Sequence, residues 1–185
     1  MRAGGSRHGL LGAMAAALLT AGCQAGLNAG PDAAALNLEL GAAYLAQGRL
    51  ELARDKLLRA TRQDSRSSEA HRLVGMAYER LEDLELAERH YRRAVRLAPR
   101  DVEALNSLGV FQCTAGKPQE GLKLLERAAR EAVGIRRASV YANCGVCELP
   151  LDRNGAAEWF RRALALDPQN VEAQLLLERI DQEIC

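Results

Sequence analysis

One pattern recurs along this chain with a nearly constant period, and it limits the fold more than any other feature. Gly41, Gly75, Gly109 and Gly145 stand 34, 34 and 36 residues apart. Each follows an apolar or small residue: Leu40, Val74, Leu108 and Cys144. Three places after each glycine come Tyr44, Tyr78, Gln112 and Glu148. Further on, a small residue precedes a large one by four places: Ala53/Leu57, Ala87/Tyr91, Gly121/Leu125 and Ala156/Phe160. Three beyond stands alanine each time, at Ala60, Ala94, Ala128 and Ala163. A period of this length marks units that cannot bury an apolar face alone and must stack on one another. Small residues at fixed places suit close helix crossings, where a larger side chain would push the axes apart. The pattern therefore predicts an all-α solenoid of antiparallel helix pairs. Only 4% of residues are aromatic within an apolar class of 48%. The core must then be mostly Ala and Leu, which favour helices over a β-sandwich.

These spacings resemble the tetratricopeptide repeat, whose pattern runs W-x2-L-G-x2-Y, then A-x3-F, then P. The resemblance covers residues 34 to about 170. It implies a right-handed superhelix whose concave face is lined by the first helix of each pair. The expected units are 34–67, 68–101, 102–135 and 138–170. Pro99 and Pro168 close two of them, while the third has Val133 at that place. Arg136 and Arg137 read as two extra residues at the third junction, and Pro150 with Asn154-Gly155 as an altered turn in the fourth unit. Residues 171–185 read as a capping helix, with Val171, Leu175, Leu176 and Ile180 covering the open end. Glu178 takes the place of the repeat glycine there, and a charge at that point would block another close crossing.

The N-terminus reads as an address. Arg2 and Arg7 precede an apolar run from Leu10 to Leu19, which suits the core of a secretory signal. Leu19-Thr20-Ala21-Gly22-Cys23 resembles the bacterial lipobox. That resemblance implies a signal peptide over 1–22 and a lipidated Cys23, with 23–33 as a flexible tether. Gln24 follows the cysteine where Asp would retain the protein, which implies an outer-membrane anchor facing the periplasm. An ordinary cleaved signal is the alternative.

Lys and Arg number 25 against 24 Asp and Glu, so no bulk basic field exists to hold nucleic acid. Charged residues at 26% exclude a polytopic membrane protein. No nucleophile–base set, phosphate-cradling loop or paired-carboxylate signature stands out, so no catalytic residue is expected. His71 and His90 lack ligand spacing, so no metal is expected and the lipid on Cys23 would be the sole added group. Cys144-Gly145-Val146-Cys147 has redox spacing, yet lies inside a helix and contains the repeat glycine. Cys113 and Cys147 fall on neighbouring first helices, where a bridge is geometrically open, and Cys144 also suits a small core position. Arg89, Arg92, Arg93 and Arg96 run along one helix, and Glu85 and Glu88 stand four before two of them. That favours a solvated face held by i,i+4 pairs, with an anionic contact as the minority reading.

Repeat register places Leu38, Ala42 and Leu45, then Arg72, Met76 and Glu79, then Asn106 and Val110, and finally Val146 on the concave face. Arg72, Arg80 and Asn106 are a poor substitute for the Lys and Asn residues of carboxylate-clamp repeats. The groove's N-terminal end is apolar, which suits an apolar or amphipathic peptide. Three stretches carry a narrower likeness: LNLELGAAYLAQGRLELARDKLLRA, LELAERHYRRAVRLAPRDVEALNSLGVFQC and YANCGVC. With the lipobox they resemble the PilF/PilW lipoproteins of type IV pilus biogenesis. The resemblance implies a non-catalytic pilotin that binds the pilus secretin and promotes its outer-membrane delivery and oligomerisation. The alternative is a lipoprotein scaffold that recruits cell-wall hydrolases or proteases.

Overall fold

The structure, a computed structural model, describes residues 31–184. The expected signal peptide, Cys23 and residues 23–30 of the tether lie outside the described residues, as does Cys185. The described chain is all helix and turn. Four pairs follow one another: α1 (Pro31–Ala46) with α2 (Leu50–Gln63), α3 (Ser68–Arg80) with α4 (Leu84–Leu97), α5 (Val102–Thr114) with α6 (Pro118–Glu131), and α7 (Gly134–Glu148) with α8 (Arg153–Leu166). A last helix, α9 (Val171–Ile184), packs on α8 and α7.

Local chemistry sets the helix ends. Ser67 accepts from the Ala70 amide at 3.1 Å, and Asp101, 34 residues on, accepts from Ala104 at 2.7 Å. Asn170 does the same for Ala173 at 2.9 Å. Each such cap is worth about 1 kcal/mol to its helix. The turns inside the first three pairs place Gly48, Glu82 and Gly116 at φ 72°, 63° and 79°. Glycine adopts this left-handed conformation freely, and Glu82 does so at a cost of about 1–2 kcal/mol.

The repeat glycines mark the closest crossings. A Cβ on Gly41 would lie 2.5 Å from Leu57, one on Gly75 2.7 Å from Tyr91, one on Gly109 2.8 Å from Leu125, and one on Gly145 2.5 Å from Phe160. Each glycine is thus the socket for the large residue on its partner helix. Those large residues and the alanines of the pattern are buried. Gly121 departs from alanine for a visible reason. A Cβ there would meet the Cys113 sulfur and come within 2.6 Å of the Gly109 carbonyl.

Four expectations are corrected. Residues 31–33 lie in α1 and are not tether. Arg136 and Arg137, the two extra residues at the third junction, do not lie between the helix pairs. They form the first turn of α7, and Arg137 Nε donates to the Ala132 carbonyl at 2.7 Å. Asn154 and Gly155 lie inside α8 rather than in the turn, because Asp152 caps that helix by accepting from the Asn154 amide at 2.9 Å. In α9 the packing face is Ala173, Leu176, Leu177 and Ile180, while Val171 and Leu175 are exposed. Val171, Leu175 and Glu178 share the outward face, since i, i+4 and i+7 align on a helix.

Candidate functional site

The first helices of the second, third and fourth pairs border an open cavity of about 310 Å³. Met76, Glu79 and Arg80 enter it from α3, Asn106, Ser107 and Val110 from α5, Asn143 from α7, and Tyr91 from α4. Its polar groups are tied to one another. The Tyr91 hydroxyl donates to Glu79 at 2.6 Å, and burial, then that bond, raises the phenol above its ordinary range. Asn143 Nδ2 donates to Asn106 Oδ1 at 2.8 Å, joining α7 to α5. Arg80 donates to the Leu45 carbonyl at 2.7 Å, which closes the end of α1 onto α3. Arg72 is half-buried and lies along Met76, with Nη1 3.4 Å from the sulfur.

Of the residues assigned to the groove from sequence, Met76, Glu79, Asn106 and Val110 meet in this cavity. Leu38 does not; it lines a separate cavity of about 450 Å³ between α1, the end of α2 and the start of α3, with Ala60 and Ala70 as apolar walls. Leu45 is 4% exposed and belongs to the core with Leu57, Leu73 and Val74, so it offers no surface to a partner. Ala42 packs against the same core. Val146 is exposed but faces another cavity of about 380 Å³, bounded by Leu149, Pro150 and α9.

Tyr91, Ser107 and Asn143 were not legible as site residues. Tyr91 fills the socket at Gly75 and also lines the cavity. Asn143 stands two before its repeat glycine, whereas Asn106 stands three before, so strict register selects Ala142 instead.

The cysteines are settled by geometry. Cys113 on α5 and Cys147 on α7 form a disulfide with Cα atoms 5.4 Å apart. Cys144 remains a free, buried thiol beside it, and burial pushes its pKa up to about 12. The redox reading of the C-x-x-C fails here. One thiol is bonded to another helix, and the other is held protonated in the core.

Residues 12–69 and 72–134 match the family model described as tetratricopeptide repeat. This chain belongs to the tetratricopeptide repeat family. Such repeats are scaffolds for protein–protein contact, and the observed helix pairs, socket glycines and stacked cores are the family's architecture. The chain is 28% identical over 131 residues to the type IV pilus assembly protein PilF of Pseudomonas aeruginosa. That match takes in 70% of this chain and 52% of PilF, so the chain spans about half the length of this relative. A solved structure of P. aeruginosa PilF superposes with a TM-score of 0.79 at 25% identity, over 83% of this chain and 69% of that one. PilW, described as a widely conserved type IV pilus biogenesis factor, superposes with a TM-score of 0.76 at 21% identity, over 81% of this chain and 69% of its own. At that identity the likeness to PilW is one of fold.

Proposed function

We propose that this protein is an outer-membrane lipoprotein that acts as a pilotin in type IV pilus biogenesis. In this reading the cavity across α3, α5 and α7 takes a segment of a secretin subunit, and lipid on Cys23 carries the client to the outer membrane. The similarity to PilF, which runs through the repeats that build the cavity, carries the reading.

The chemistry of the cavity suits an extended peptide. The Asn106–Asn143 bond uses one donor and one acceptor of an amide pair. A donor on Asn106 and an acceptor on Asn143 are then left over for a client backbone. Met76 and Val110 supply apolar contact on either side. Glu79 is engaged by Tyr91 and Arg80 by Leu45, so both hold fixed positions before a client arrives, which lowers the ordering cost of binding. A weak groove is sufficient for delivery if anchor and groove act together, since tethering raises the effective concentration of the client at the membrane.

The test is deletion of the gene, followed by fractionation of outer membranes and detection of SDS-resistant secretin multimers. Loss of multimers, restored by the wild-type gene but not by Asn106→Ala/Asn143→Ala or by Cys23→Ala, is the expected result. Unchanged multimers with normal piliation would overturn the reading and favour a scaffold for cell-wall hydrolases or proteases.

A further inference from the structure

Arginine accounts for nearly all the positive charge of this chain, and several arginines among the described residues pair with a carboxylate. Arg54 meets Asp55 at 2.8 Å, Arg100 meets Glu131 at 3.0 Å, Arg162 meets Glu158 at 3.3 Å and Arg161 meets Asp181 at 3.5 Å. Helix α4 gathers four arginines along one cavity. Of its two i,i+4 pairs legible in the sequence, only Arg92–Glu88 forms, at 2.7 Å. Arg89 makes no bond to Glu85, and no ion pair is seen for Arg89, Arg93 or Arg96 among the described residues. These three arginines turn instead toward a cavity of about 340 Å³, whose lining is completed by Arg92, His71 and His90. No carboxylate lines it.

We propose that this cavity between α3 and α4 is an anion site that takes a negatively charged phosphate group. Guanidinium groups recognise phosphate oxygens through paired, charge-assisted hydrogen bonds, and several converge here on one space. The two imidazoles also line it, with their Nδ1 atoms 3.1 Å apart. Two nitrogens at that distance share one proton, so the pair can accept another when a neighbouring anion offsets the added charge.

The local field has the matching sign. His90 is held down to about 4 by burial first, then by His71 and Arg89. His71 is lowered by burial first and also by Arg93 and Arg96, against the opposing pull of the Ser65 carbonyl and Asp64. The uncompensated arginines are therefore felt inside the cavity, and a bound anion would relieve that field. The site shares no lining residue with the cavity that includes Asn106 and Asn143. Occupancy of one does not obstruct the other.

Inorganic phosphate is the first probe, titrated into the full chain at constant ionic strength while the imidazole resonances of His71 and His90 are followed. A saturable shift is expected, weakened at least about tenfold in Arg93→Gln/Arg96→Gln. Arg161→Gln/Arg162→Gln removes the same charge elsewhere and is expected to leave the titration unchanged. Circular dichroism checks that both variants fold. Arg93→Lys/Arg96→Lys, which keeps charge but loses the paired donors, is expected to fall between.

A second arm measures binding of the same chains to phosphatidylglycerol and phosphatidylcholine vesicles. Any pull from the N-terminal segment is common to all variants and cancels. A deficit of Arg93→Gln/Arg96→Gln on phosphatidylglycerol alone would identify a lipid headgroup as the source of the phosphate. A saturable phosphate titration without that deficit would identify a soluble ligand. If phosphate does not saturate and the two Gln variants bind vesicles alike, or if both weaken the titration equally, the proposal is overturned.

Discussion

The joint between the first two helix pairs and the joint between the last two solve the same packing problem differently. In the first, Leu45, Ala53, Leu57, Leu73, Val74 and Ala77 interlock with no covalent link. The repeat period is kept across it, so each side chain meets the socket its position implies. In the last, Leu105, Leu125, Ala128, Ala129, Val140 and Cys144 form the core, and three further devices reinforce it. The Cys113–Cys147 disulfide and the Asn143–Asn106 bond tie α7 to α5, and Arg137 fixes the start of α7 on the Ala132 carbonyl. The two extra residues lie at this joint. Where the period is regular, shape complementarity and the Arg80 bond to the Leu45 carbonyl hold the stack without a covalent link. Where an insertion shifts the register, covalent and polar bonds between first helices hold what packing alone does not position.

Predictions follow from that contrast in order of size. Phe160 and Leu57 fill equivalent sockets in the last and first pairs. Phe160→Ala is expected to cost about 3–5 kcal/mol and Leu57→Ala about 2–5 kcal/mol by denaturant unfolding. A much smaller loss for Phe160 would mean that the disulfide, not the socket, holds the last pair.

Cys113→Ser/Cys147→Ser is expected to cost about 2–4 kcal/mol, since the bond closes a loop of 34 residues. Hydrogen exchange would show the loss in α7 to α9, with α1 to α4 unaffected. Uniform loss along the stack would erase the distinction between the two joints.

The third prediction concerns pH and belongs to the second pair. Because His71 and His90 titrate below their ordinary value in the folded chain, the unfolded chain takes up the protons first. Their contribution is complete above about pH 6.5 and is lost as pH falls toward 4. Melting temperature is expected to fall over that window, and to fall less in His71→Gln/His90→Gln. An equal slope in the variant would place the effect on other groups.

Glu82→Gly restores the residue type found at the equivalent turns of the neighbouring pairs, and is expected to stabilise by about 1 kcal/mol in thermal unfolding. Smallest of all, Leu175→Ser on the outward face of α9 is expected to change stability by less than about 0.5 kcal/mol. A loss above about 1.5 kcal/mol would mean that the outward face is covered.

Much of the fold was legible because it depends on steric demands between positions a fixed distance apart. The glycine sockets at 41, 75, 109 and 145, and the residues that fill them, follow from the period alone. The candidate site was legible only in part. Met76, Glu79, Asn106 and Val110 lie where repeat register puts them, in the regular middle of the chain. Leu45 was misplaced because register gives the side of a helix but not how far a neighbour such as Leu73 closes over it. Val146 was misplaced because α9 and the Asp152-capped turn draw that end of α7 into a different cavity. Asn143 escaped notice because the longer α7 moves the groove-facing position by one residue.

By itself the sequence determined the helix pairs, their number in the described stretch and their points of closest approach. These are short-range consequences of side-chain size at a repeated spacing. Tertiary structure alone decided which residues share a cavity, which cysteine joins Cys113, and which arginines of α4 remain without a carboxylate. Those outcomes depend on distances between helices far apart in the chain, and a shift of one or two residues at a single joint is enough to change them.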